Sequence, residues 1–181
     1  MLIVRSKLQG VVIFKPNVSL DERGFFLESF RSSTLEKISP RTVFIQDNHT
    51  KSNKAGVLRG MHFQKPPYTQ SKLVWVTRGA IFDVVIDLRK GSPTFKRWEG
   101  FSLSASNFLR LFVPKGFAHG YMTLEPETET QYKVDAYYNP EAEGGLLWND
   151  PDLGVRWPEI TPLLSEKDKK LPRLREVESP F

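Results

Sequence analysis

The sequence contains no cysteine among its 181 residues. Without a thiol, the chain can form no disulfide, no cysteine-ligated zinc site and no thiolate nucleophile. The N-terminal segment, MLIVRSKLQG, lacks an apolar stretch long enough for a signal peptide or a membrane span. These absences predict a cytoplasmic protein with no membrane partner.

Several signatures of common enzyme and binding classes are also missing. The sequence has no G-x-S-x-G motif and no glycine-rich phosphate loop. The formal net charge is +5, but much of the excess lies in a basic run near the C-terminus, between positions 167 and 175. No basic stripe is interleaved with aromatic residues, so nucleic-acid binding is disfavoured and recognition of a smaller phosphate ligand stays open.

Turn-forming residues punctuate the chain at short intervals. Thirteen prolines and twelve glycines separate short runs rich in Val, Ile, Phe, Tyr and Thr, a pattern typical of many strands joined by turns. No repeat or linker divides the chain, which predicts a single domain over 1–181. The predicted strands are 10–16, 24–30, 43–49, 57–64, 72–78, 80–88, 97–104, 109–114, 118–124 and 130–138, and the two predicted short helices are 32–38 and 165–171.

About ten strands at this spacing predict an all-β sandwich or barrel. The segment 113–119 narrows the choice, because Pro114, Gly116 and His119 form a P-x-G-x-x-H pattern found in cupin jelly rolls. Pro114 and Gly116 would shape a tight turn between two strands, and His119 would begin the next strand with its side chain facing the barrel interior. The sequence therefore favours a cupin jelly roll with a few short helices.

Polar residues recur along 44–64 at the period expected for the core face of a strand. Gln46 and Asn48 alternate onto one face, as do His62 and Gln64 in the next strand. This arrangement indicates a ligand-lined interior, or alternatively an outward polar face. His62 is the natural candidate for a general base, because an imidazole titrates near neutral pH.

Other candidate residues have two interpretations each. Arg59 offers a planar fork for phosphate oxygens, but it lies three positions from His62, so strict alternation puts the two on opposite faces. Both can line one pocket only if the strand bulges or twists, and Gly60 is the expected place. Lys72 is either an edge charge or a cation facing the pocket. Tyr132 and Tyr138 would share one strand face, as core residues or as a proton donor and a stacking aromatic.

A metal site is the alternative that cupin proteins raise most directly. The chain has three histidines, His49, His62 and His119. Metal-binding cupins usually carry two histidines one residue apart, and the second of these positions is Gln64 here. A site with two histidines and one carboxylate, using His62 and His119, remains open. We expect no metal.

Eight motifs of the sequence resemble those of the dTDP-4-dehydrorhamnose 3,5-epimerase family, and they occur in the same order and at similar spacing. The similarity runs from about residue 5 to residue 172, with modest departures at Thr50 and Ser71, where the family often has Ser and Gly. The motifs are 21–28 (DERGFFLE), 46–48 (QDN), 58–64 (LRGMHFQ), 70–74 (QSKLV), 83–89 (DVVIDLR), 114–120 (PKGFAHG), 148–151 (WNDP) and 165–168 (SEKD).

The resemblance implies a role for each matching residue. His62 would be the base, paired with Asp168, while Lys72 would stabilise the enolate oxygen and Tyr132 would return a proton to the opposite face. His119 would be a second pocket histidine. Contacts to the nucleotide and its diphosphate would come from Arg23, Phe26, Glu28, Gln46, Asn48, Arg59 and Tyr138.

The resemblance also implies a function. The expected reaction inverts C3 and C5 of dTDP-4-keto-6-deoxyglucose, without metal or organic cofactor, in dTDP-L-rhamnose synthesis for cell-wall polysaccharide. A homodimer is expected. Two alternatives remain open at this point: inversion at C3 or C5 only, and a non-catalytic protein that binds nucleotide sugars.

Overall fold

The fold consists of two antiparallel sheets packed face to face, with a separate hairpin. A computed structural model describes residues 1–181. The strands are β1 Leu2–Arg5, β2 Val12–Lys15, β3 Val18–Asp21, β4 Gly24–Leu27, β5 Gln46–Ser52, β6 Leu58–Gln64, β7 Lys72–Arg78, β8 Ala80–Asp87, β9 Trp98–Ser104, β10 Arg110–Val113, β11 Phe117–Thr123, β12 Thr128–Val134 and β13 Glu143–Gly145. The helical elements are α1 Ser32–Leu35 and three 3₁₀ turns, Pro140–Ala142, Asp168–Lys170 and Leu174–Glu176.

The order of the strands confirms the predicted all-β jelly-roll class. One sheet has six strands in the order β1-β2-β10-β7-β12-β5, and the other has five in the order β13-β6-β11-β8-β9. Strands β3 and β4 pair only with each other. No helix combines the length and the apolar character needed to cross a bilayer.

The main core lies between the two sheets. Val74, Leu111 and Val113 of the six-stranded sheet pack against Ile81 and Val85 of β8, along with further apolar residues of the five-stranded sheet. The other face of β8 is also buried, because Val84 and Ile86 pack under the C-terminal segment. Burial on both faces explains why both alternating sets of β8 are rich in Val and Ile.

The ends of several predicted strands differ from those in the structure, and one predicted helix is a different type of element. Strands β1, β3 and β13 were not predicted, and β12 ends at Val134, not 138, so Tyr132 and Tyr138 do not share a strand face. The predicted helix 165–171 is only a 3₁₀ turn over Asp168–Lys170. Leu171 is extended there because Pro172 follows it, and a residue before proline disfavours the helical conformation.

A bulge in β6 places Arg59 and His62 on the same face. Along β11, His119 pairs with His62 and Tyr121 with Arg59, so two residues of β6 oppose the single Gly120. Gly60 takes a φ of 133°, and a Cβ there would lie 2.5 Å from the Cα of Gly120. The predicted bulge at Gly60 is therefore confirmed, and only glycine fits it.

Candidate active site

A cavity of about 660 Å³ opens between the sheets at the bulge of β6. Six of the predicted site residues line it: Arg59, His62, Lys72, His119, Tyr132 and Asp168. A second cavity of about 330 Å³ shares His62, Lys72 and Tyr132 with the first. Gln46, Asn48 and Tyr138 line this second cavity. The polar residues at core period in β5 and β6 therefore face a shared interior.

His62 and Asp168 form a hydrogen-bonded pair although they lie 106 positions apart. The Nε2 atom of His62 is 2.6 Å from Oδ1 of Asp168, whose side chain is only 5% exposed. Burial alone would raise the pKa of Asp168, but the hydrogen bond and charge of His62 outweigh it and lower that pKa. The hydrogen bond thus fixes the orientation of the imidazole ring within the cavity.

Lys72 is the first residue of β7 and its ammonium faces the cavity. Burial lowers its pKa to about 8, while the charges of Asp83 and Glu143 oppose that shift. A desolvated cation at this place interacts strongly with negative charge that develops on a bound ligand. Of the two predicted interpretations, the cation facing the pocket is the one that the structure supports.

His119 and Asp83 form a second buried pair on adjacent strands. The Nε2 atom of His119 lies 2.8 Å from Oδ2 of Asp83, which has no exposed surface. Burial raises the pKa of Asp83, although His119 and Lys72 pull it down. Sequence reasoning missed Asp83 because its side chain alternates with Val and Ile along a strand that reads as plain core.

Tyr132 projects from β12 into both cavities. Burial raises its pKa, the neighbouring phenol of Tyr121 raises it further, and the charge of Arg59 opposes both. The hydroxyl of Tyr121 lies 2.9 Å from Oγ1 of Thr50. This hydrogen bond connects β11 of one sheet with β5 of the other, beside the cavity. A protonated phenol at Tyr132 is suited to donate a proton.

A cluster at the edge of the second cavity was not predicted. Tyr138 donates its hydroxyl proton to Oε2 of Glu143 at 2.9 Å, and Lys167 donates to Oε1 at 2.7 Å. Glu143 thereby links strand β13 to the turn that carries Asp168. No sequence signal connects these residues, because their contacts depend on how the C-terminal segment returns across the sheet.

Three predicted nucleotide contacts lie away from the cavity of their own chain. Arg23, Phe26 and Glu28 sit on or beside the β3–β4 hairpin. Arg23 pairs with Asp21 and Glu28 pairs with Arg31, and both pairs are exposed. Phe26 is 76% exposed. The structure therefore does not bring these three residues close to the other nine predicted site residues.

The structure offers no cluster of metal ligands. No three His, Cys, Asp or Glu side chains come close enough together to hold a metal ion. His62 and His119 each bond to a different aspartate. His49 lies on the outer face of β5, paired with Glu129. The alternative site with two histidines and one carboxylate therefore lacks its geometry.

Comparison with known proteins shows the family to which the chain belongs. Residues 5–176 match the family described as dTDP-4-dehydrorhamnose 3,5-epimerase. The epimerase of that name from Shigella flexneri is 48% identical over 169 residues, which are 93% of each protein.

Solved structures give the same result. A crystal structure of the Bacillus anthracis epimerase with TDP and PPi bound is 48% identical, with a TM-score of 0.92 over 96% of this chain and 99% of that one. A 3,5-epimerase from Legionella pneumophila in complex with dTDP-4-keto-L-rhamnose is 41% identical, with a TM-score of 0.91 over 96% and 93%. The resemblance seen in the motifs is thus confirmed, and the chain belongs to the dTDP-4-dehydrorhamnose 3,5-epimerase family of isomerases.

Proposed function

We propose that the protein inverts C3 and C5 of dTDP-4-keto-6-deoxyglucose to give dTDP-4-keto-L-rhamnose. One observation carries the proposal: the His62–Asp168 pair, the Lys72 ammonium and the Tyr132 phenol surround a single cavity. These are the base, the cation and the acid that such a reaction requires. The substrate follows from membership of the family and from the Legionella complex.

The chemistry begins at the C4 ketone. This carbonyl makes the hydrogens on C3 and C5 acidic, because the electron pair left behind delocalises onto the C4 oxygen. His62 removes the proton, and Asp168 stabilises the imidazolium. Lys72 stabilises the enolate oxygen. Tyr132 then donates its proton to the opposite face of the carbon, which inverts the centre. No electrons leave the sugar, so the reaction needs no redox carrier.

The nucleotide would lie toward the second cavity. Arg59, which lines the first cavity, provides a guanidinium fork for diphosphate oxygens, and the amides of Gln46 and Asn48 line the second cavity from alternate positions of β5. Tyr138, at the edge of this cavity, offers an aromatic surface to a base. These roles rest on the family resemblance and on two adjoining cavities, both of which are lined by His62, Lys72 and Tyr132.

We also propose that the protein works as a homodimer. The β3–β4 hairpin exposes Leu20, Phe25 and Phe26 by 76%, 61% and 76%, which is costly for a free surface. Arg23, Phe26 and Glu28 could contact a nucleotide only if this hairpin lies beside the cavity of a second copy. Sedimentation should give a dimer, and a monomer that turns over at the full rate would refute this part.

The proposed pathway and location belong together. A protein that makes the dTDP-L-rhamnose precursor would act in the cytoplasm, beside the enzymes that make and consume nucleotide sugars. Cell fractionation with an antibody tests this placement, and recovery in a membrane or extracellular fraction would contradict it.

The test is proton NMR in D₂O with dTDP-4-keto-6-deoxyglucose. We expect solvent deuterium at both C3 and C5, faster than in a protein-free sample, and the L-rhamno product. Deuterium at one position only would identify a single-site epimerase. Measurable binding without any exchange would identify a non-catalytic nucleotide-sugar binder.

A further inference from the structure

Lys72 lies at the end of a strand, although its proposed role requires the ammonium to be held in a fixed position. It is the first residue of β7 and directly follows a seven-residue connection, 65–71. Its backbone pairs with Val113 on β10 and with Val134 on β12. Each of those partners is itself the last residue of its strand. Strand ends open more readily than strand centres, so something beyond the sheet must fix this end.

Two hydrogen bonds hold the connection immediately before Lys72. The backbone N–H of Ser71 donates to Oδ1 of Asp135 at 2.6 Å. The side chain of Gln70 donates from Nε2 to the carbonyl oxygen of Ala136 at 2.7 Å. Residues 135 and 136 directly follow β12, so the two bonds continue the β7–β12 pairing past the point where the strands end.

The Asp135 carboxylate is buried beside the start of β7. Its side chain is 5% exposed, and Ser71 is 3% exposed. A buried carboxylate is costly unless it is paired. Here Oδ1 receives the Ser71 N–H, while Oδ2 lies 3.2 Å from the ammonium of Lys115, which is half exposed. Asp135 lines neither cavity, so it has no direct contact with a ligand there.

We propose that Asp135 is a positioning residue for Lys72: its bond to the Ser71 N–H fixes the start of β7 and so aims the ammonium at the enolate oxygen. This inference rests on the proposed function. A misplacement of about 1 Å in such a group costs on the order of 100-fold in rate. The position matters more than the charge, because an uncharged acceptor can bind the same N–H.

A purely structural role makes a different prediction. If Asp135 serves only as the buried partner of Lys115, then removing Lys115 should harm the protein as much as removing Asp135. If Asp135 acts through Ser71, the Lys115→Met variant keeps the essential bond and keeps its turnover number. The two roles therefore separate in a matched set of variants.

The experiment compares Asp135→Ala, Asp135→Asn and Lys115→Met by deuterium incorporation and by thermal unfolding. We expect kcat to fall by about 10- to 100-fold in Asp135→Ala, with a small change in KM. Asp135→Asn restores kcat to within about threefold of the original protein, since its amide oxygen accepts the Ser71 N–H. Lys115→Met lowers the melting temperature and leaves kcat unchanged.

The pH profile provides a readout that a loss of folded protein would not move. Burial sets the pKa of Lys72, and the nearby charges that oppose the shift are those of Asp83 and Glu143. The ionisable groups that line the cavities with Lys72 are Arg59 and His62 of β6, His119 and Tyr121 of β11, Tyr132 of β12, Tyr138, Glu143 of β13, and Lys167 and Asp168 of the C-terminal turn. Burial holds the pKa of Lys72 at about 8, so the rate should fall as pH rises through that value. Release of the strand end exposes the ammonium to water, which moves this alkaline limb to higher pH in Asp135→Ala only.

The outcomes are distinct. An Asp135→Ala variant with the original kcat and alkaline limb refutes the inference. So does a variant whose rate falls with an unshifted limb, or a Lys115→Met variant that loses kcat equally. If Asp135→Ala does not fold, an Asp135→Asn variant with a low kcat and a normal melting temperature refutes it. No exchange by the unsubstituted protein would instead refute the proposed function.

Discussion

Replacement of Asp168 by asparagine tests the hydrogen-bonded pair that contains the proposed base, His62. The carboxylate is almost fully buried and lies 2.6 Å from His62. A hydrogen bond between charged groups contributes about 1.5–3 kcal/mol, which corresponds to roughly 10- to 150-fold in rate. An asparagine amide can also hold the imidazole in the wrong tautomer, and in serine proteases that error costs about 10⁴-fold. We therefore expect a loss between about 10-fold and 10⁴-fold in kcat.

The assay is the initial rate of deuterium incorporation at saturating substrate. Glu166→Gln is the matched control, because it removes a carboxylate two residues away whose side chain is 78% exposed and pairs only with Lys169. The control should keep its full rate and its melting temperature, and Asp168→Asn should melt at a lower temperature but remain folded under the conditions of the assay. An Asp168→Asn variant within twofold of the original rate would remove Asp168 from the mechanism.

Further predictions concern the bulge, a buried carboxylate and metal dependence. Gly60→Ala should destabilise the fold by at least about 1–3 kcal/mol from backbone strain alone and abolish exchange; full activity would show that the bulge tolerates a Cβ. Asp87 accepts hydrogen bonds from Arg89, Ser92 and Thr94, and these outweigh burial and lower its pKa. Because the folded state then binds fewer protons, this carboxylate stabilises the fold above its ordinary pKa, and the effect is lost as pH falls. Asp87→Asn should therefore flatten the pH dependence of the unfolding free energy between about pH 2 and 5, as urea titrations can measure, and an unchanged slope would contradict this assignment. Dialysis against EDTA should leave the exchange rate unchanged, and a loss that a divalent ion restores would contradict the absence of a metal site.

The periodicity of the sequence predicted the cavity-facing residues of single strands. Gln46 and Asn48 alternate onto the inner face of β5 as expected. The conflict between Arg59 and His62 predicted a bulge or twist at Gly60, because regular alternation would put the two side chains on opposite faces, and the structure has a bulge there. These inferences succeeded since they depend only on the period of a strand and the conformational range of glycine.

The contacts between distant segments could not be predicted in this way. Asp83 bonds to His119, 36 positions away, and Asp135 bonds to Ser71, 64 positions away. Such partners depend on the order of strands in the sheets, which alternation does not encode. The pairing of Asp168 with His62 was expected only from the family resemblance, and the helix predicted around Asp168 was wrong because Pro172 limits it to a single turn.

In the proposed mechanism, His62 and Tyr132 act on opposite faces of the same carbon. The most direct test follows configuration and deuterium content together by NMR in the Tyr132→Phe and His62→Asn variants. Without the phenol, His62 should still exchange the C3 and C5 protons but return deuterium to the same face, so label enters without inversion. Without the imidazole, neither label nor inversion should occur. Inversion at the original rate in Tyr132→Phe, or exchange in His62→Asn, would contradict this mechanism.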